Sequence, residues 1–494
     1  MDLFVKIFQM IYTFIYQNYW WINLVLVLTI IYWGRERPAR STFMWILVMT
    51  LLPIVGFFPY LLLGQDTRRT NMFRIKAEQD RFIREESEIQ EKMLEDLPDI
   101  FDDYEKRATI GEVGELATLN LRLNQSVLSA DNDVRVFTDG QEKFDALIKD
   151  IDHAQHSIEV QYYIFKSDGL GTRLINHLVQ AAGRGVRVRL LTDGIGCRFI
   201  SKREFRRMKE SGIEVGIFFP SFLRIINLRM NYRNHRKIVV VDGDTGFIGG
   251  LNFADRYLHG LPGIGIWRDT HLKVKGEAVT SLQVVFLFDW YFVRQELLLN
   301  KAEYLPNKKV DGNVVVQTVA SGPDSDWTSI QQAYFTLINM AKKYVFISTP
   351  YFMPGETTIN SLKTAAMSGV DVRIMIPYKS DSLLTHWCTR SYVEELLEAG
   401  VRVFQYRKGF NHSKVIVMDG LVSSVGTANM DIRSFEQNFE VNLIIYDRNV
   451  SRQLGSDFLD DLKGSSEISI HRWKFRPKRD KIRESLARLF APLL

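Results

Sequence analysis

The sequence predicts an α/β fold: two tandem, related half-domains forming one pseudo-two-fold unit, preceded by an N-terminal transmembrane helical hairpin. Three observations predict it. Two long, nearly uncharged apolar runs lie within the first 63 residues. From about residue 130, short apolar runs of strand type alternate with stretches of helical periodicity. The later part of the chain then repeats the landmarks of the earlier part at fixed spacing.

The hairpin comes first. Residues 43–63, FMWILVMTLLPIVGFFPYLLL, carry no charge, and about 20 such residues cross a ~30 Å hydrocarbon core. The run from Ile11 to Trp33 is also uncharged, diluted by Gln17, Asn18 and Asn23. Only GRERPARS separates the two, which fits a hairpin better than a cleavable signal. Tyr19, Trp20, Trp21 and Trp33 suit the membrane interfaces. Pro53, Gly56 and Pro59 predict a kinked or partly re-entrant second segment. Three arginines in the connecting loop (Arg35, Arg37, Arg40) face seven basic residues on the other side, Lys6, Arg68, Arg69, Arg74, Lys76, Arg81 and Arg84. That bias places the N-terminus and the main body in the cytoplasm.

Residues 65 to about 107 are dense in charge and read as a solvated stretch of a charged helical connector that spans 65–129. The repeat follows. FDALIKDIDHAQHSIEVQYYIF resembles SIQQAYFTLINMAKKYVFISTPYF, and AAGRGVRVRLLTD resembles AAMSGVDVRIMIP. NHRKIVVVDG then matches NHSKVIVMDG. The register is strict: 412 − 235, 414 − 237 and 429 − 252 all equal 177. The halves are therefore residues 130–305 and 313–470, with a basic amphipathic tail at 471–494.

Composition excludes several classes. The chain has 494 residues, a 46% hydrophobic fraction and a net charge of +5, which is no demand for nucleic acid. No basic stripe with interleaved aromatics appears either. Cys197 and Cys388 form no CxxC and no zinc-like cluster, so neither metal nor other cofactor is expected. Two thiols in a reducing compartment are the simpler reading than a disulfide.

The candidate catalytic set is the pair of repeated motifs: His235, Lys237 and Asp242, then His412, Lys414 and Asp419. KIVVV is strand-like, and residues two apart on a strand share a face, so histidine and lysine point together. Each aspartate precedes a glycine, a hairpin-turn signal, and is read as mainly architectural. A lysine buried beside a histidine is costly unless it meets an anion. A phosphate diester is the anion that fits. Two lysines, with Asn252 and Asn429, would cradle its oxygens. One imidazole would attack phosphorus and the other would shuttle the proton. Asp269 and Glu440 are the candidate carboxylates orienting the histidines from behind. The repeat is not perfect: Gly249-Gly250-Leu251-Asn252 stands where the second half has Gly426-Thr427-Ala428-Asn429.

These residues resemble the phospholipase D superfamily, marked by H-x-K-x4-D occurring twice, each followed by a glycine-rich segment ending in Asn. The stretches LRMNYRNHRKIVVVDG, FIGGLNFADRYL, WRDTHLKVKG and VGTANMDIRSFEQNFEVN, with the N-terminal hairpin, are similar to bacterial cardiolipin synthases. The resemblance covers nearly the whole chain. It implies two phospholipase D-like halves and a metal-independent ping-pong reaction. Two phosphatidylglycerols would give cardiolipin and glycerol. It also implies that His235 is the nucleophile and His412 the acid/base, a ranking the symmetric halves do not supply by themselves.

The expected setting is the bacterial cell membrane. Phosphatidylglycerol, cardiolipin and an anionic lipid surface are the expected partners, and a homo-oligomer is compatible with the sequence. FFPSFLRIINLRM (218–230) and the tail, with eight Lys/Arg in 472–488 and Ile482, Leu486, Leu489, Phe490 and Leu493 at helical spacing, are the candidate lipid contacts. Core packing is the rival reading for the first, and packing on the second half for the tail. Functional rivals are a hydrolase releasing phosphatidic acid, a synthase using another alcohol, and an inactive membrane scaffold.

Overall fold

The computed structural model describes residues 2–33, 39–52, 56–57, 60, 104–220, 232–298, 304, 310–325 and 327–493. They fall into an N-terminal helical unit and a large body.

The N-terminal unit contains helices Asp2–Gln17, Tyr19–Trp33 and Ala39–Leu51. The Asn18 side chain donates to Phe14 O (2.9 Å) where the first helix gives way to the second, a local competition that Asn commonly brings to helices. Ile30, Met49 and Tyr60 are buried together, against Trp45 and Phe57. Trp20, Trp21, Leu24, Val25 and Leu28 are exposed. Among the described residues no helix is long and apolar enough to cross a membrane. The 15-residue helix Tyr19–Trp33 rises roughly 22 Å, short of a hydrocarbon core. Pro53 and Pro59 lie outside the described residues, as do the segment 221–231 and the connector up to 103.

The body is built on one sixteen-stranded sheet. Its centre is the antiparallel pair Leu128–Phe137 and Val314–Ser321, in register Leu128↔Gln317. Outward from the first strand run His271–Gly276, Thr245–Gly249, Ile238–Val241, Ser157–Tyr162, Arg187–Asp193 and Glu214–Phe218. Outward from the second run Asn438–Ile445, Val422–Gly426, Val415–Met418, Tyr344–Ser348, Asp371–Pro377 and Arg402–Tyr406, and Ser465–Glu467 closes that edge. Each half thus has the same strand order, read from the centre. Every residue of Val314–Ser321 and Asn438–Ile445 is buried. The buried residues include polar ones, Gln317 and Thr318 on the first strand and Asn438, Glu440 and Asn442 on the second.

Helices Gly140–His153 and Gly169–Gly183 cover one face of the first half through Phe144, Leu147, Leu174 and Leu178. Helices Ser329–Met340 and Glu356–Met367 do the same for the second. On the opposite face, Ala278–Arg294 and Arg448–Leu462 share one core, with Val279, Leu282 and Val285 near Leu454 and Phe458. Asp139, Asp168 and Asp447 start their helices by accepting from Glu142 N, Gly171 N and Val450 N.

The stretch of the connector read as solvated lies almost wholly outside the described residues, and the part beyond it is partly buried. Helix Tyr104–Asn124 is not wholly solvated: Val113, Leu116, Ala117 and Leu121 are buried in the second half's core. Its Asn120 donates to Gln317 on the central strand (3.1 Å). The charge around the segment hides the apolar spacing at 113, 116, 117 and 121. Both cysteines are free.

The tail forms helices Ile470–Lys474 and Lys478–Arg488 and packs on the second half. Arg476 pairs with Glu394 and Glu484, Arg390 with Glu484 and Arg488 with Glu395. Ile482, Leu486, Leu489 and Phe490 nonetheless stay exposed.

Candidate active site

Both motif histidines sit in short extended segments just ahead of a strand, rather than within it. The strands begin at Ile238 and Val415. Each segment is stitched to the other half. Arg233–Asn234 pairs with Asn438–Phe439, and His235 N donates to Phe439 O (2.9 Å). Gly409–Asn411 pairs with Ile266–Arg268, and His412 N donates to Arg268 O (2.7 Å).

This stitching crosses the carboxylates over. Glu440, from the second half, lies 2.9 and 3.0 Å from Nδ1 of His235, from the first. Asp269, from the first half, lies 2.7 Å from Nδ1 of His412, from the second. A carboxylate on Nδ1 holds the proton there and leaves Nε2 as the nucleophilic or basic nitrogen. Each lysine ammonium folds back to donate to its own histidine's carbonyl.

Burial sets the electrostatics. Lys237, Glu440 and Asp269 are about as buried as side chains become, and Lys414 is 1% exposed. Desolvation pushes Lys237 down to about 7 and Lys414 down to about 8, against the pull of Glu440 and Asp269. Desolvation lifts Asp269 to about 6, opposed by Lys414. Burial also works to raise Glu440. His235, Lys237 and the Thr427 hydroxyl outweigh it and hold Glu440 below its ordinary value. His235 is driven down to about 4 by burial and by the lysines, with Glu440 opposing. His412 falls well below its ordinary value through burial, then Lys414, Lys237 and His235. The six groups therefore act as one coupled cluster with both imidazoles neutral near pH 7. A cluster of two lysines whose charges are strained by burial is a receptor for an anion.

The imidazoles have unlike surroundings. Tyr163 meets the His235 ring edge-on at 5.2 Å. His412 is ringed by Trp267, Phe410, Tyr257 and Tyr351 at 5.5–6.4 Å. Behind the carboxylates, the imperfect repeat acquires a meaning. A Cβ on Gly250 would come within 2.2 Å of Asp269 Oδ1. The corresponding Thr427 instead donates its hydroxyl to Glu440 Oε2 (2.6 Å). Sequence reasoning saw the Gly/Thr difference but not its target, which lies on a neighbouring strand.

Among the sequence candidates, the structure gathers His235, Lys237, His412, Lys414, Asp269 and Glu440. It does not bring Asp242 and Asp419 to them. Each aspartate sits past the far end of its strand, at positive φ (51° and 53°), in the hairpin turn. Asp242 accepts from the backbone N–H of Gln155, His156 and Ser157. Asp419 accepts from Lys342, Lys343 and Tyr344 in the same way. Asn252 is buried, accepts from Ile164 N (3.1 Å) and donates to Tyr257 OH (2.7 Å). Asn429 is buried, and its backbone N–H donates to Ser434 Oγ (3.3 Å).

Comparison with known proteins agrees with this geometry. The profile of the family described as "Cardiolipin synthase, PLD-like domain" matches residues 147–274 and 334–462. A "Phospholipase_D-nuclease N-terminal" profile matches 21–65. The chain is 42% identical over 475 residues to cardiolipin synthase 2 of Staphylococcus epidermidis, covering 96% of each. It is also 42% identical over 477 residues to the major cardiolipin synthase ClsA of Bacillus subtilis, covering 96% of this chain and 97% of that one. A solved phosphatidylserine synthase from Haemophilus influenzae shares the fold, with a TM-score of 0.60 at 14% identity over 77% of this chain and 100% of that one. The crossed histidine–carboxylate pairs, the duplicated sheet and these relatives lead to one conclusion: the chain belongs to the cardiolipin synthase family of phospholipase D-like proteins.

Proposed function

We propose that the protein is a phosphatidyltransferase that makes cardiolipin and glycerol from two phosphatidylglycerols. The observation that carries the proposal is the pair of carboxylate-backed imidazoles, each with a buried lysine folded against it. In the first step His235 Nε2 attacks the donor's phosphorus, and the phosphorus–glycerol oxygen bond breaks. His412 gives its proton to the departing glycerol. The anionic diester supplies the counter-charge that lets both lysines, and then His412, hold protons. In the second step His412 takes a proton from a hydroxyl of the acceptor phosphatidylglycerol. That oxygen bonds to phosphorus and the phosphorus–nitrogen bond breaks.

The firmly ionised Glu440 behind His235 supports the nucleophile assignment. Lys237 and Lys414 neutralise the charge developing on the non-bridging oxygens. Asn252 and Asn429 complete the cradle, with Asn252 contributing its remaining N–H. Asp242 and Asp419 clamp their hairpins. The organisation proposed is a membrane hairpin at 1–64, a connector at 65–129, halves at 130–305 and 313–470, and a tail at 471–494. The exposed Trp20, Trp21, Leu24, Val25 and Leu28 support burial of the N-terminal helices in a bacterial cell membrane. The uncharged runs 11–33 and 43–63 are longer than the helices described within them and support a hairpin that crosses the membrane twice, with the Lys/Arg bias favouring the body on the cytoplasmic side. The exposed apolar residues of the tail, among many basic ones, suit an anionic lipid surface.

The test is incubation of the purified full chain with phosphatidylglycerol vesicles. One glycerol released per four-chain lipid formed is the expected result. Phosphatidic acid as the main product, or no turnover, would overturn the proposal.

A further inference from the structure

The product has two phosphates, and only one passes through the histidines. The acceptor's own phosphate must rest somewhere, three glycerol carbons from the reacting oxygen. Two arginines occupy equivalent places in the two halves: 433 − 256 = 177, the same offset as the histidines. Each follows its glycine-rich loop by four residues, Arg256 after Asn252 and Arg433 after Asn429. Arg256 starts the short helix Arg256–His259, and Arg433 lies on Ile432–Glu436.

Both flank the centre. The Arg256 charge bears on His412 and depresses it further. The guanidinium lies over the Tyr257 and Trp267 rings, 5.1 and 5.4 Å from their centroids, and both rings border His412. Its Nη2 donates to Tyr257 OH (3.2 Å), while its buried Nε has no hydrogen-bond partner among the described residues. Asp381 faces it through space without a close ion pair among the described residues. On the other side, Arg433 bears on Tyr163, the ring against His235. A stacked guanidinium with unspent donors is suited to a phosphate oxygen.

We propose that Arg256 forms the subsite for the unreacted phosphate of the acceptor lipid, on the side of the imidazole that deprotonates it, with Arg433 as its counterpart on the nucleophile's side. This rests on the proposed transfer to phosphatidylglycerol. In the step concerned, the acceptor hydroxyl loses its proton to His412, its oxygen bonds to phosphorus and the phosphorus–Nε2 bond breaks. Arg256 touches neither the proton nor the reacting phosphorus. It selects an acceptor that is itself an anion.

The experiment compares two acceptors on one purified full-length enzyme. Cardiolipin formation uses an acceptor with a phosphate. Exchange of labelled free glycerol into phosphatidylglycerol uses an acceptor without one. Arg256→Gln should lower cardiolipin formation about 10- to 100-fold more than glycerol exchange, as expected for a charged hydrogen bond lost. Arg256→Lys should restore part of that difference. Tyr257→Phe, which removes the hydroxyl that both Arg256 and Asn252 touch, should not create it. An equal fall in both reactions, or an unchanged ratio, would overturn the subsite. Wild-type enzyme that exchanges glycerol but never makes the four-chain lipid would overturn the parent reading instead.

Discussion

Replacing Glu440 by Gln tests the crossed arrangement most directly. The side chain is fully buried, and its two oxygens accept from His235 Nδ1, Thr427 Oγ1 (2.6 Å) and Asn438 Nδ2 (3.2 Å). Glutamine keeps the shape but turns one acceptor into a donor that faces donors. His235 then loses the group that fixes its tautomer and stabilises charge on its ring. Loss of about 10²–10⁴ in kcat follows, about 3–5 kcal/mol of barrier. A second effect has a definite sign. Glu440 raises Lys237, which stands at about 7. Without it Lys237 releases its proton at lower pH, so the alkaline limb of activity moves down. Folding should lose only about 1–3 kcal/mol, since the lysine can neutralise instead of leaving an unpaired buried charge. The assay is cardiolipin formation by the purified variant from pH 5.5 to 9, with a melting curve to confirm the fold. Turnover within threefold of wild type, on a folded protein, would refute the reasoning.

Four further outcomes are expected. The profile of kcat/KM against pH should be bell-shaped, rising as Asp269 ionises near 6 and falling as Lys237 and Lys414 lose protons at about 7 and 8. A flat profile across that range would contradict it, and Asp269→Asn should remove the rising limb. Asp242→Ala should cost about 2–4 kcal/mol of stability, because three backbone N–H groups lose a charged acceptor. The folded fraction should keep its turnover, as denaturant melts and specific activity would show. Thr427→Val removes the hydroxyl that donates to Glu440, so Glu440 should rise from below its ordinary value, while the acid limb set by Asp269 near 6 should stay in place in the same pH series; an acid limb that moves would contradict the assignment to Asp269. Leu486→Glu with Leu489→Glu should weaken binding of the purified protein to anionic vesicles without unfolding it, because both side chains are exposed; unchanged co-sedimentation would count against the tail as a lipid contact.

The sequence by itself determined the duplication, the α/β character and the residues of the cluster, including Asp269 and Glu440. Those are local signals: strand-type runs, Asp-Gly turns and a constant 177-residue offset are all read along the chain. The N-terminal apolar runs were legible too, but hydropathy records the absence of charge, not where a helix begins and ends. The described helices there end short of a bilayer span. Only the tertiary structure decided which carboxylate serves which histidine. Glu440 and His235 are 205 residues apart, and Asp269 and His412 are 143 apart. They meet because the two halves join at their central strands and each histidine segment is stitched to the other half. The same packing removes water from the lysines and imidazoles. Their protonation states therefore belong to the folded arrangement: desolvation depends on what surrounds a group in space, and no spacing along a chain encodes that by itself.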